Sequence, residues 1–391
     1  MNAFTNDAVK LKSLRRKAFN YRWATHDADV IPLTAADPDF PVAEPIVRAI
    51  HEYCEDGYFS YGPPEGVLTF KCAIANYYEK KYKATTNPSY ILPVNSAAYG
   101  LFVAAKSILN PGDSAIIPNP VDFLFRKAIE SAGATVITSN IDKSNAAFDL
   151  YLLTEQLNPT TKAIFICNPN NPLGLSLSKE HLTELIQWAE NHDLWIISDE
   201  IWADIDLRGK VTSILSNQLP TYNKKIVVSG LSKNYGLAGL RIGYIICPSV
   251  ENYEYILQHS GHLTTAFGLS ALSQAAGTAA LTECEEWLEN WLNHLRNMQS
   301  LALKQLNELQ LFQPIHPDST YLLFPAFTDQ GVDSGAWVAK VLEEARVALV
   351  PGGTQWFESA SEGHVRICFS TSEAILSEAF ERISDWCQRR G

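Results

Sequence analysis

Seven short apolar runs lie between Tyr90 and Cys247: ILPV, AIIP, TVIT, AIFICN, LWIISD, KIVVSG and IGYIIC, with helix-patterned stretches between them. Runs this short, rich in isoleucine and valine and apolar at consecutive positions, read as strands buried on both faces. Their alternation with helices predicts a predominantly parallel sheet sandwiched by helices, an α/β fold. In such sheets ligands gather at the carboxyl ends of the strands. The residues just past those ends are Ser96, Asn119, Asn168 to Asn171, Asp199 to Trp202 and Ser229 to Lys233. They are therefore expected to face one crevice although they lie far apart in the chain.

The flanks do not follow this pattern. Residues 1 to about 40 open with a polar, basic stretch and continue as DVIPLTAADPDFP, whose prolines predict an extended arm that lies on another part of the molecule. Residues 42 to 56 and 64 to 82 read as amphipathic helices on either side of the turn-forming FSYGPPEG. Gly268 to Leu309 contains no proline and predicts a long helical region leading out of the sheet domain. The segments STYLLFPAF, RVALVPGG and HVRICFSTSE, then a last amphipathic helix, read as a smaller α+β domain. A chain of 391 residues exceeds one ordinary core. The expected division is an arm over 1–41, a large domain over 42–285 and a small domain over 286–391.

A formal charge of -12 argues against a general nucleic-acid binder or a protein of anionic membranes, since both need a basic face. Seven scattered cysteines without a C-x-x-C pair fit reduced thiols in the cytoplasm. The first thirty residues have no apolar h-region, and no run approaches the length of a membrane span. None of the nine histidines has H-x-x-x-H spacing, so no metal is expected.

One stretch stands apart, SGLSKNYGLAGLRIGY, from Ser229 to Tyr244. Small neighbours leave the amine of Lys233 room to form an imine, and Gly236 and Gly239 let the backbone approach a bulky group. Arg241 can hold a phosphate. A surface turn with an incidental lysine fits these residues, taken alone, equally well.

The segment from Gly230 to Gly243 resembles the lysine signature of the class I/II aminotransferases, the fold-type-I pyridoxal-phosphate enzymes. YGPPEG at 61–66, NPNNPLG at 168–174, SDEIW at 198–202 and HVRICFS at 364–370 follow the family's order, so the resemblance covers nearly the whole chain. DVIPLTAADPDF and GLAGLRIGYII look most like the branch of cystathionine β-lyases and related C-S lyases.

The resemblance implies pyridoxal 5'-phosphate as cofactor, with Lys233 forming the Schiff base and then moving the substrate's α-proton. Asp199 would keep the pyridinium nitrogen protonated, and Asn171 would donate to the ring's phenolic oxygen. Ser96, Ala97 and Ala98 precede an apolar helix and would offer backbone N–H groups to the phosphate, with Arg241 and Ser232 beside them. Ser96 also fits an ordinary N-cap. Tyr61 would reach the phosphate of the neighbouring subunit, implying a homodimer with shared sites. Arg366 would clamp the substrate α-carboxylate, aided by backbone near Ala36. A buried ion pair is the other reading of Arg366. Glu200 is expected to be structural. Ser229 is a further candidate for the phosphate, although the family's common serine three residues before the lysine is Gly230 here.

Two departures surround the reacting carbon. The family's ring-stacking aromatic is replaced by Asp122, so Phe123 would swing onto the ring or the face would be left to a carboxylate. The usual tyrosine or histidine of the SDEIW segment is Trp202, which donates one hydrogen bond and cannot relay a proton. Asp122 suggests recognition of a cationic, arginine-like substrate; a solvent-facing acid beside a shifted Phe123 is the alternative. The side-chain pocket is expected from Tyr21, Trp23, His26, Trp356 and Phe357. The expected activity on α-amino acids is amino-group transfer, with β/γ-elimination or cyclisation of a specialised amino acid as the alternative. A non-catalytic regulator is disfavoured because no basic DNA-binding extension exists.

Overall fold

The computed structural model describes residues 3–265, 267–329 and 331–389. All seven apolar runs form strands of one sheet. Across it the order is Ile91–Val94, Gly243–Ile246, Lys225–Gly230, Trp195–Asp199, Thr161–Cys167, Ser114–Asn119 and Thr135–Asn140. Only Gly243–Ile246 runs antiparallel to its neighbours, pairing with Ile91–Val94 on one side and Lys225–Gly230 on the other. The segment that precedes it, Leu231–Ile242, folds as turns with one 3-10 turn and supplies no crossover helix.

Successive residues of a strand point to opposite faces, and both faces are dry. Ala163, Phe165, Ile197, Val228 and Ile245 pack with helices Ala97–Ile108, Leu124–Ser131 and Val250–Ser260 through Leu101, Phe125, Ile129 and Ile256. Ile164, Ile166, Ile196, Val227 and Ile246 pack on the other face with Ile74, Leu182, Leu185 and Ile186, from helices Leu68–Tyr82 and Lys179–Asn191. This double burial explains why these strands read as unbroken apolar runs.

Helices Glu44–Glu55 and Leu68–Tyr82 are those expected, the second beginning only after the PPEG turn. The long helical region divides into Ala271–Glu283 and Glu285–Glu308, a break at Cys284 that no proline or glycine announces. Glu285 and Glu286 then sit in the first turn of the new helix, where its dipole favours acids. In the C-terminal part, Val365–Cys368 is the middle strand of an antiparallel sheet with Val350–Pro351 and Leu322–Leu323, and helix Glu373–Gln388 shares its core through Leu376, Ala379 and Ile383.

The arm is extended through its proline-rich part, where Ile31–Pro32 pairs parallel with Val347–Ala348. Its basic opening, in contrast, contains a helix, Leu11–Lys17. Arg22 and Asp39 form a buried ion pair within the arm, and Asp39 also accepts from Trp23 Nε1 at 2.7 Å. Asp39 N donates to the Ser370 carbonyl at 3.1 Å, which ties the arm to the residues after Val365–Cys368.

Candidate active site

Lys233 follows the carboxyl end of strand Lys225–Gly230. Its Nζ donates to the Ala36 carbonyl at 2.7 Å and stands 5.4 Å from the centroid of the Trp202 ring. Burial lowers its pKa, and the field of Asp37 opposes that shift. Gly236 has φ +70°, a conformation that favours glycine. At Gly230 a Cβ would stand 2.5 Å from the Ile242 carbonyl oxygen, so the family's serine has no room there.

Asp199 closes the neighbouring strand, Trp195–Asp199, and one carboxylate oxygen accepts from Ile201 N at 3.0 Å. Burial pushes its pKa up to about 7. No cation lies within ion-pair distance of it among the described residues. Glu200 is buried in another environment, accepting from Ile214 N at 2.8 Å and Ser198 Oγ at 3.2 Å, and is structural as expected. Ser229, a phosphate candidate from sequence, instead donates to the Glu200 carbonyl at 3.1 Å, so its hydroxyl braces the two strand ends.

Asn171, Asp122 and Arg366 form a chain of contacts. Asn171 Nδ2 donates to Asp122 Oδ2 at 2.9 Å, and Asn171 Oδ1 accepts from Arg366 Nη1 at 3.2 Å. A guanidinium can only donate and an ionised carboxylate only accept, so the two neighbours fix which way the amide faces. Asp122 Oδ1 accepts from Leu124 N at 3.1 Å. Asp122 is thus tied to Asn171 and to its own turn. It is half-buried, and burial raises its pKa. Arg366 also donates to the Thr34 carbonyl at 3.2 Å and lies over the Phe357 ring at 5.0 Å. It has no ion-pair partner among the described residues, against the buried-pair reading, and its buried Nε has no hydrogen-bond partner.

At the other end of the crevice Ser96 caps helix Ala97–Ile108, accepting from Tyr99 N at 3.2 Å, with a non-glycine φ of 104°. Gly243 packs so closely beneath this turn that a Cβ would stand 2.2 Å from the Ser96 carbonyl carbon and 2.5 Å from Ala97 N. Ala97 and Ser232 are buried and Ala98 half-buried. Arg241 is exposed in left-handed backbone and donates to the Ala238 carbonyl of its own loop at 3.3 Å. Tyr61 is 90% exposed and meets Phe267 edge-on at 5.2 Å.

The side-chain end is aromatic. Trp356 meets Tyr21 edge-on at 5.9 Å and Phe123 at 6.0 Å. The Phe123 N–H donates to the Trp356 carbonyl at 3.0 Å, and Arg126 holds Glu358 with two hydrogen bonds. Phe123 thus packs against the C-terminal part of the chain. Trp23, expected in the pocket, is buried with its indole N–H spent on Asp39. Asn119, expected to face the crevice, binds Asn140 and Ser359 and accepts from Ala360 N.

Three contributors were not singled out in the sequence. Asp37 adds a carboxylate near Lys233, and Tyr321 meets Trp202 edge-on at 4.7 Å while its hydroxyl reaches the Ala36 carbonyl at 3.3 Å. The third is Asp204, which accepts from Tyr77, Tyr82 and Lys81 on one oxygen and from Asn234 on the other, locking the loop after Lys233 to helix Leu68–Tyr82. The acidic run in DVIPLTAADPDF and the aspartate two residues after Trp202 were the available signals.

The family model described as aminotransferase class I and II matches residues 28–383. The chain belongs to this family. This aminotransferase is 30% identical over 363 residues to the aspartate aminotransferase of Thermotoga maritima, covering 93% of this chain and 92% of the relative. It is also 30% identical to the (5-formylfuran-3-yl)methyl phosphate transaminase of Methanocaldococcus jannaschii, covering 92% of each. Among solved structures, the alanine aminotransferase of Pyrococcus furiosus superposes with a TM-score of 0.85 at 25% identity, covering 97% of this chain and 95% of that one. The relatives named here are aminotransferases rather than C-S lyases. Enzymes of the family depend on pyridoxal 5'-phosphate and act on amino acids. Among the described residues no helix is long and apolar enough to cross a membrane, and no cluster of three or more histidine, cysteine, aspartate or glutamate side chains could hold a metal.

The residues of this aminotransferase fit that cofactor. Asp199 is a buried carboxylate in no ion pair among the described residues, which a pyridinium nitrogen would compensate. The Ser96 turn presents a helix N-terminus suited to a phosphate. The Lys233 amine lies on the same crevice, and the unpartnered Arg366 Nε can take a carboxylate.

Proposed function

We propose that this protein transfers the amino group of an α-amino acid to a 2-oxo acid, with Lys233 as the covalent and proton-moving residue. The observation that carries the reading is the placement of Lys233, Asp199, Asn171 and Arg366 at adjoining strand ends and loops, with Arg366 in no ion pair among the described residues. Bound through its aldehyde, the cofactor supplies an electron sink for the substrate's α-carbon. The protein's part is positional. Asp199 holds the ring nitrogen in its charged form, a charge-assisted bond worth about 1.5–3 kcal/mol. Ser96, Ala97 and Ala98 receive the phosphate, with Arg241 and Ser232 adding to its binding. Asn171 is turned by Asp122 and Arg366 so that its second amide hydrogen is left for the ring's phenolic oxygen. Arg366 orients the α-carboxylate with its free donors, beside the Ala36 segment. Lys233, its amine destabilised as a cation by burial, takes the α-proton and returns it.

The exposed Tyr61 and Phe267 pair supports a homodimer in which Tyr61 reaches the partner's phosphate site. We keep the division into an arm at 1–41, a large domain at 42–285 and a small domain at 286–391, although its second boundary falls one residue inside helix Glu285–Glu308. Free cysteines fit a cytoplasmic protein. β- or γ-elimination, as in the C-S lyase branch, is the second reading, favoured by one observation. Trp202 lies under the lysine amine where a phenol or imidazole would relay protons. Nitrogen-labelled donor amino acid and an unlabelled 2-oxo acid separate the two. Label appearing in the new amino acid supports transfer, and label released as ammonia would refute it.

A further inference from the structure

The structure assigns this site, if it is the aminotransferase site proposed above, an amino-acid substrate whose side chain is a cation, held by Asp122 and the rings of Phe123, Trp356 and Tyr21. The unpartnered Arg366 Nε, on a residue more than nine-tenths buried, fixes the α-carboxylate. Asp122 is one side chain away, joined to Arg366 through Asn171. Each oxygen of Asp122 accepts one hydrogen bond, and a carboxylate offers about four acceptor sites, so capacity for a further donor remains.

The charges point the same way. Among the described residues, the cations that act on Asp37, Asp122 and Asp199 are Lys233, Arg366 and, at Asp37, Arg22, and none of the three acids is in an ion pair. Asp199 is matched by the cofactor ring and Arg366 by the α-carboxylate. Asp122 has hydrogen-bond donors in Leu124 N and Asn171 but no ion-pair partner among the described residues. A side-chain carboxylate placed here meets like charge, the repulsion by which sites reject a wrong substrate. A guanidinium or ammonium instead gains an ion pair.

The aromatic wall adds to this preference. Phe123 is the next residue in the chain, and its ring meets Trp356, which meets Tyr21, each edge-on. Faces of such rings attract a cation, and Tyr21, 60% exposed, is the solvent-side end of the wall. The wall is held in place by the Phe123–Trp356 backbone hydrogen bond and the Arg126–Glu358 pair.

The test uses the full-length, cofactor-loaded enzyme and three substrate classes: arginine, lysine and ornithine; alanine and leucine; aspartate and glutamate. Conversion of the cofactor to its amine form in single turnovers and kcat/KM are measured for each. The cationic class should exceed the neutral class by at least about tenfold, with the acidic class slowest. Asp122→Asn should lose most of that preference while changing the neutral class less, and Asp122→Glu, which keeps the charge, should retain part of it. Equal use of cationic and neutral amino acids overturns the inference, as does a preference for aspartate or glutamate or equal losses on all classes in Asp122→Asn. In those cases the transferase reading stands, whereas no conversion by any amino acid overturns both.

Discussion

Asp39→Ala should destabilise the protein more than any other single change in the arm. The side chains of Arg22 and Asp39 are 1% and 2% exposed, so removing the carboxylate leaves a guanidinium in a dry site. The Trp23 indole N–H loses its acceptor by the same change. Breaking a buried pair from one side costs about 3–5 kcal/mol, because the remaining charge keeps its desolvation penalty. The loss of the indole's partner adds about 1–3 kcal/mol. Chemical denaturation with far-UV and tryptophan signals in parallel would measure it. The function should fall as well, since the same arm supplies the Ala36 carbonyl to Lys233 and the Thr34 carbonyl to Arg366. Replacing both partners by apolar residues, Arg22→Met with Asp39→Leu, should recover much of the stability. A loss below about 1 kcal/mol in Asp39→Ala, or a double variant no better than the single one, would refute the reasoning from desolvation.

Gly243→Ala should weaken cofactor binding, because its Cβ would meet backbone atoms of Ser96 and Ala97 at 2.2 and 2.5 Å, and backbone cannot turn aside as a rotamer can. Overpacking of this kind costs about 1–3 kcal/mol, and equilibrium dialysis against the cofactor checks whether affinity falls with stability. For the cofactor-free protein, Asp199 and Glu200 bind protons more tightly folded than unfolded, with pKa values raised to about 7 from 3.8 and 4.5. Their contribution is therefore greatest at low pH and is lost as pH rises through about 4 to 7. Glu200→Gln should flatten the fall of the melting temperature over that window, and an unchanged slope would contradict the assignment. Mixing Lys233→Ala subunits with Tyr61→Ala subunits should restore about a quarter of the wild-type activity if sites are shared across a dimer, whereas no restoration argues for self-contained sites.

The sheet was legible in the sequence because burial on both faces makes its strands continuous apolar runs, as in AIFIC and KIVVS. The site followed from it, since Ser96, Asn171, Asp199 and Lys233 lie just past the ends of such runs. What remained hidden depends on side chains meeting across long separations. Nothing near Asp122 announces that it will bond Asn171, or that Asn171 will meet Arg366. Asn119 and Trp23 were misplaced for the same reason: their partners, Ser359 and Asp39, are set by how the C-terminal part and the arm lie against the sheet. The break at Cys284 was not visible because neither glycine nor proline marks it. Gly230 shows the reverse, a departure from the family pattern that became intelligible once the Ile242 carbonyl was seen against it.

A single-turnover absorbance scan of wild type and Lys233→Ala with a panel of amino acids decides whether this crevice transfers an amino group with Lys233 as its base. Wild type should leave the cofactor in its amine form with one 2-oxo acid per site, and Lys233→Ala should bind the amino acid without this conversion. Release of ammonia or thiol with the cofactor's aldehyde form restored, or conversion at an undiminished rate in Lys233→Ala, would contradict it.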